Sequence, residues 1–161
     1  MLKANKNKTL RATHGTFVIV ASRYNARYVD AMLGAAKSTL SKAGAKIRIV
    51  RVPGAYEVPL VAARLVRQSE DDEPLAAIIC LGVILRGETV HAAHIGEAVT
   101  HALMRIQLDY QIPVIHEVLL LENEEQAKKR CLDKKHNRGT EAAQTALEMA
   151  RVLGNLGQDN D

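Results

Sequence analysis

Four short apolar runs, each followed by residues with helical spacing, constrain this chain more than any other feature. Residues 16–21 (Thr-Phe-Val-Ile-Val-Ala) are rich in β-branched side chains and predict a buried strand. Val29, Met32, Leu33, Ala36 and Leu40 then recur at helical intervals within 26–43, and Gly44 supplies a stop. Residues 46–52 predict a second strand, broken by Pro53-Gly54. Val58, Val61, Ala62, Leu65 and Val66 mark a second helix, closed by an acidic loop over 70–73. The continuous apolar run 76–83 predicts a third, central strand. Ile95, Val99, Ala102, Leu103, Ile106 and Tyr110 give a third helix. A fourth strand lies within 113–121, a short polar helix covers about 123–130, and a last helix starts near Thr140 and frays after Gly154.

Strands this apolar are covered on both faces, so the order βαβαβαβ implies a parallel sheet between helix layers. Right-handed crossovers make it a doubly wound α/β fold, a three-layer αβα sandwich with a four-stranded parallel, flavodoxin-like sheet. At 161 residues and 47% hydrophobic, the chain suits one domain with its own core. The expected organisation is a basic arm over 1–14, the domain over 15–156 and a polar tail over 157–161.

Ligands of such sheets bind outside the carboxyl ends of the strands. That rule selects the segments 22–25, 53–57, 85–89 and the chain from His116 onward. Arg86-Gly87-Glu88-Thr89 leads into the third helix, with Thr89 the expected N-cap and free N–H groups suited to an anion. His91 falls in the first turn. An imidazole beside a bound phosphate can act as general base and acid. Tyr24 and Tyr56 sit at strand ends and can stack on a flat heterocycle. Glu57 can accept from ring N–H groups or serve as a first-turn helix acid. Arg130 offers a bidentate partner to phosphate.

Charge and cysteine use narrow the classes further. Lys3, Lys6, Lys8 and Arg11 stand in the first 15 residues without an acid. Setting those four aside leaves the other 18 basic residues balanced by 18 acidic ones. Without interleaved aromatics this arm reads as a solvated extension, not a nucleic-acid module. Cys80 sits in an apolar run, and neither it nor Cys131 has a CxxC partner, so no zinc, redox or disulfide framework is expected. His91 and His94 have the i, i+3 spacing that metals use, but no nearby ligand completes a set, and no metal is expected. No signal peptide and no apolar run near the ~20 residues of a membrane span is read, so a cytoplasmic protein is expected.

The segments together resemble the lumazine synthase (6,7-dimethyl-8-ribityllumazine synthase) family. Val52-Pro53-Gly54-Ala55-Tyr56-Glu57-Val58-Pro59 is similar to its second loop. Leu81-Gly82-Val83-Ile84-Leu85-Arg86-Gly87-Glu88-Thr89-Val90-His91 is similar to its most distinctive motif. Arg23-Tyr24-Asn25, the segment from Glu125 to Arg130, and Asn137-Arg138-Gly139 onward resemble its remaining signatures. The match covers about residues 15–153.

The resemblance implies a transferase of riboflavin biosynthesis. It condenses 5-amino-6-(D-ribitylamino)uracil with 3,4-dihydroxy-2-butanone 4-phosphate and requires no cofactor. It implies His91 as the proton-transferring residue. Glu88, Thr89 and Arg130 are implied as the phosphate site. Tyr24, Ala55, Tyr56, Glu57, Val83, Ile84, Leu85 and His116 are implied as the contacts to the uracil substrate. It also implies a homo-oligomer, pentamer or pentamer-based icosahedral shell, with active sites between subunits and product passed to riboflavin synthase.

Several positions depart from the family pattern. Val90 replaces Pro, and Ala92-Ala93-His94 replaces Phe-Asp-Tyr. His116 replaces an aromatic, so its charge is expected to follow pH. Glu117-Val118-Leu119-Leu120 replaces a Gly-Val-Leu-Thr-like run, and Arg138 replaces Lys. These changes keep open a second reading, a flavin- or lumazine-binding paralogue with reduced or lost turnover.

Overall fold

The computed structural model describes residues 10–69 and 73–158. The basic residues Lys3, Lys6 and Lys8 of the expected arm, and the core of the acidic loop, lie outside them. The chain runs β1 (Thr16–Ser22), α1 (Ala26–Lys42), β2 (Lys46–Val52), a 3-10 turn (Ala55–Glu57) leading into α2 (Val58–Ser69), and β3 (Leu75–Leu85). It continues with α3 (His91–Tyr110), β4 (Val114–Leu121), the short α4 (Glu124–Ala127) extended by a wide π-type turn (Lys128–Leu132), and α5 (Arg138–Gln158). The strands form one parallel sheet in the order β2-β1-β3-β4, so β1 and β3 are central.

Alternation along the central strands divides the core. Phe17, Ile19 and Ala21 of β1, with Ala77, Ile79 and Leu81 of β3, pack beneath α1 and α5. Val18 and Val20, with Ile78 and Cys80, pack beneath α2 and α3. This is the expected three-layer sandwich. Each fully buried side chain of this size contributes roughly 1.5–3 kcal/mol, which explains why the apolar runs were readable as strands. Cys80 is a core residue; burial pushes its thiol up to about 12.

Two helix boundaries differ from expectation. α5 begins at Arg138, earlier than Thr140, because Asn137 organises the turn: its Nδ2 donates to the Cys131 carbonyl and its Oδ1 accepts the Gly139 N–H at 2.8 Å. α5 also passes Gly154 and continues to Gln158. A lone glycine costs an exposed helix only about 1 kcal/mol, too little to end it.

Candidate functional site

A hollow of about 810 Å³ opens at the carboxyl ends of the strands. Tyr24 and Asn25 of the β1–α1 turn, residues 54–57, and Val83, Ile84 and Leu85 line it together with His91, His94, Ile95 and Ala98 of α3. Tyr24, Ala55, Tyr56, Glu57, Val83, Ile84, Leu85 and His91 are thus brought together. Glu88, Thr89, Arg130 and His116 are not among its lining residues.

Short bonds knit the first two loops. The Arg23 and Tyr24 N–H groups both donate to the Pro53 carbonyl at 3.0 Å. Asn25 takes a left-handed conformation at φ 56°, and its Nδ2 donates to the Val83 carbonyl at 2.7 Å. That carbonyl, expected to face a ligand, therefore keeps only its second lone pair free. Gly54 lets the loop approach closely: a Cβ there would stand 2.9 Å from both Glu57 Oε2 and the Tyr24 ring. Glu57 accepts the Gly54 N–H at 2.9 Å through that oxygen, so one carboxylate oxygen holds the turn and Oε1 is left for a ligand. Tyr24 and Tyr56 remain 68% and 64% exposed, which leaves ring surface open beside the hollow.

The loop before α3 differs from one expectation, the Thr89 cap. The cap position is Val90, which has no side-chain oxygen; Thr89 instead accepts the His91 N–H from one residue further out, at a long 3.4 Å. Val90 itself lies in the right-handed region, at φ −72° and ψ −3°. Most of the leading N–H groups of α3 therefore stay available to an anion. Arg86 is turned away, paired with Glu122 at 2.8 Å.

The remaining predicted residues lie elsewhere. Arg130 is exposed on the wide turn after α4. His116 projects from edge strand β4 toward α3; its Nε2 lies 2.8 Å from Thr100 Oγ1 and its Nδ1 accepts the Val118 N–H at 3.2 Å. Burial lowers its pKa.

Some features were missed from sequence. His94, Ile95 and Ala98 share the inward helix face with His91 through i, i+3, i+4 and i+7 spacing, a signal that was present. Glu117 is buried on the other face of β4, where Arg138 grips it with 2.8 and 3.0 Å bonds while also contacting Glu141. Burial raises the Glu117 pKa, and Arg138 draws it back only in part. No local signal joins residues 21 apart in sequence.

A second hollow of about 490 Å³ lies at the opposite strand ends, between Thr16, Lys46, Arg48 and Glu73. Lys46 and Glu73 neutralise each other there, and it contains no histidine. Among the described residues no cluster of three or more His, Cys, Asp or Glu is arranged to hold a metal. No helix among them is long and apolar enough to cross a membrane.

The chain is similar to known proteins along most of its length. The family model for 6,7-dimethyl-8-ribityllumazine synthase matches residues 14–154. A protein of that name from Stenotrophomonas maltophilia (strain R551-3) is 43% identical over 143 residues, 87% of this chain and 90% of the relative. One from Xanthomonas campestris pv. campestris (strain B100) is 40% identical over 147 residues, 89% and 93% of the two chains. One from Xylella fastidiosa (strain 9a5c) is 39% identical over 150 residues, 91% and 95%.

Proposed function

The chain belongs to the 6,7-dimethyl-8-ribityllumazine synthase family, and on that premise we propose how its residues carry out the synthase reaction. The ring amine of 5-amino-6-(D-ribitylamino)uracil attacks the ketone of 3,4-dihydroxy-2-butanone 4-phosphate. Water leaves as the Schiff base forms, phosphate is eliminated, and the ribityl-bearing amine closes the ring with loss of a second water to give 6,7-dimethyl-8-ribityllumazine, the precursor of riboflavin. Every step moves a proton or an anion, so the chain needs a base and an anion site side by side.

The observation that carries this reading is that His91 opens into the hollow that also holds Tyr24, Glu57 and the end of β3. Tyr24 and Tyr56 stack on the pyrimidine, and Glu57 Oε1 and the β3 backbone hold its polar groups. His91 transfers protons at the reacting carbons. Glu88, Thr89 and the N–H groups opening α3 take the phosphate, with Arg130 supplying the compensating charge.

Arg130 and His116 lie outside the hollow lined by the same chain's His91. That separation supports a site completed by a neighbouring subunit, hence a homo-oligomer built on pentamers, free or closed into an icosahedral shell. The product goes on to riboflavin synthase in the cytoplasm. His91→Ala should lower the catalytic rate roughly ten- to a thousandfold, given that general acid–base help is worth ~10²–10⁴. Arg130→Ala should mainly raise KM for the butanone phosphate. An undiminished rate in the first variant, or an unaltered KM in the second, removes that residue from the mechanism.

A further inference from the structure

The hydrogen bonds around His116 determine which nitrogen carries its proton. Thr100 lies one helical turn after Gly96, and its hydroxyl donates to the Gly96 carbonyl at 2.8 Å. Having used its only proton, the Thr100 oxygen can meet His116 Nε2 at 2.8 Å only as an acceptor, so Nε2 bears the hydrogen. On the other side of the ring, the Val118 N–H points at Nδ1 at 3.2 Å and requires a lone pair there. Both contacts specify the same neutral tautomer. Protonating Nδ1 would set two donors face to face and strand the Val118 N–H of an edge strand.

Among the described residues, burial is the one influence recorded on the titration of the ring, with no charged partner beside it. Thr100 on α3 is uncharged. Cys80, the register partner on β3, has its thiol pushed up to about 12 and is neutral. Glu117 on β4 is engaged by Arg138 of α5 across the sheet. Burial itself disfavours the imidazolium.

We infer that Thr100 is a positioning residue that holds His116 as a neutral, Nε2-protonated ring, so that the pyrimidine substrate meets an uncharged aromatic face. The inference rests on the synthase reading above. It replaces the expectation that the charge at this position follows pH: here the imidazole behaves as an aryl ring of fixed orientation.

Long-range proton–nitrogen NMR on the full chain labelled with nitrogen-15 histidine tests it, with the His116 signal assigned by its loss in His116→Phe. The expected result is the Nε2–H pattern and titration below the ordinary histidine value of about 6.5. In Thr100→Val the titration moves up and the tautomers mix; Thr100→Ser restores the original pattern. An Nδ1–H pattern, or no response to Thr100→Val, overturns the lock.

Kinetics test the role toward substrate. Thr100→Val should raise KM for the aminouracil about two- to twelvefold, the span of one aromatic pairing, with the larger effect near pH 6 than near pH 8. In a His116→Phe background the same change should do nothing. A normal KM in Thr100→Val, or an equal effect in both backgrounds, overturns that role. Absence of turnover in the unaltered protein would instead refute the synthase reading, while NMR still reports the lock.

Discussion

Replacing Gly54 by Ala separates binding from folding at this site. The residue has an extended backbone, φ −130° and ψ 178°, which alanine adopts without strain. The new methyl, however, falls 2.9 Å from Glu57 Oε2 and 2.9 and 3.0 Å from two carbons of the Tyr24 ring. Ordinary contact begins near 3.4 Å, so both side chains must yield by about 0.5 Å. Both are side chains at the rim of the hollow, so the fold gives way cheaply. Weakening the Gly54–Glu57 bond costs about 1 kcal/mol of stability. Turning Tyr24 off its place costs the ligand about 0.5–1.5 kcal/mol of stacking, or roughly two- to twelvefold in KM. Steady-state kinetics with varied aminouracil, alongside thermal unfolding, read both effects. A loss of stability by several kcal/mol with an unchanged KM would refute the assignment of this loop to the substrate.

Other perturbations test the framework. Gly139→Ala puts a methyl 2.0 Å from the Met32 carbonyl oxygen, backbone against backbone where α5 crosses α1; overpacking of about 3 kcal/mol or more should lower Tm by roughly 6–12 °C, and an unchanged Tm contradicts the crossing. Ser22 is 1% exposed, and its hydroxyl has no partner among the described residues. Ser22→Ala should therefore stabilise by up to about 1 kcal/mol, and a fall in Tm would show that the hydroxyl is satisfied. Burial raises Glu117 above the ordinary ~4.3 of a glutamate. The folded chain then holds that proton more tightly than the unfolded one, so the Glu117 contribution to stability falls as pH rises from the ordinary value through the raised one. The Tm of the unaltered chain minus that of Glu117→Gln should decline over that window; a flat difference refutes the shift.

The sheet was legible because its strands are bare apolar runs whose burial dominates local preference, as Phe17 to Ala21 illustrate. The site loops followed from the rule that ligands gather at strand ends, and family resemblance attached chemistry to them. What escaped the reading were relations set by three-dimensional packing. Arg86 stands beside the loop expected to hold phosphate, and only the fold brings Glu122 at the β4 end up to pair with it. The Asn25 amide occupies the Val83 carbonyl because the first turn folds over β3. His116 looks like a titrating residue in sequence, and only the fold half-buries its ring and sets Thr100 of α3 against Nε2. Glu117 and Arg138, both expected departures from the family pattern, pair with each other.

The most direct test of the account is product formation. The purified chain is mixed with 5-amino-6-(D-ribitylamino)uracil and 3,4-dihydroxy-2-butanone 4-phosphate, and lumazine absorbance is followed against the spontaneous reaction. The account predicts enzymatic formation of 6,7-dimethyl-8-ribityllumazine, well above background and strongly reduced in His91→Ala. Tight binding of lumazine or flavin with formation no faster than background would contradict it.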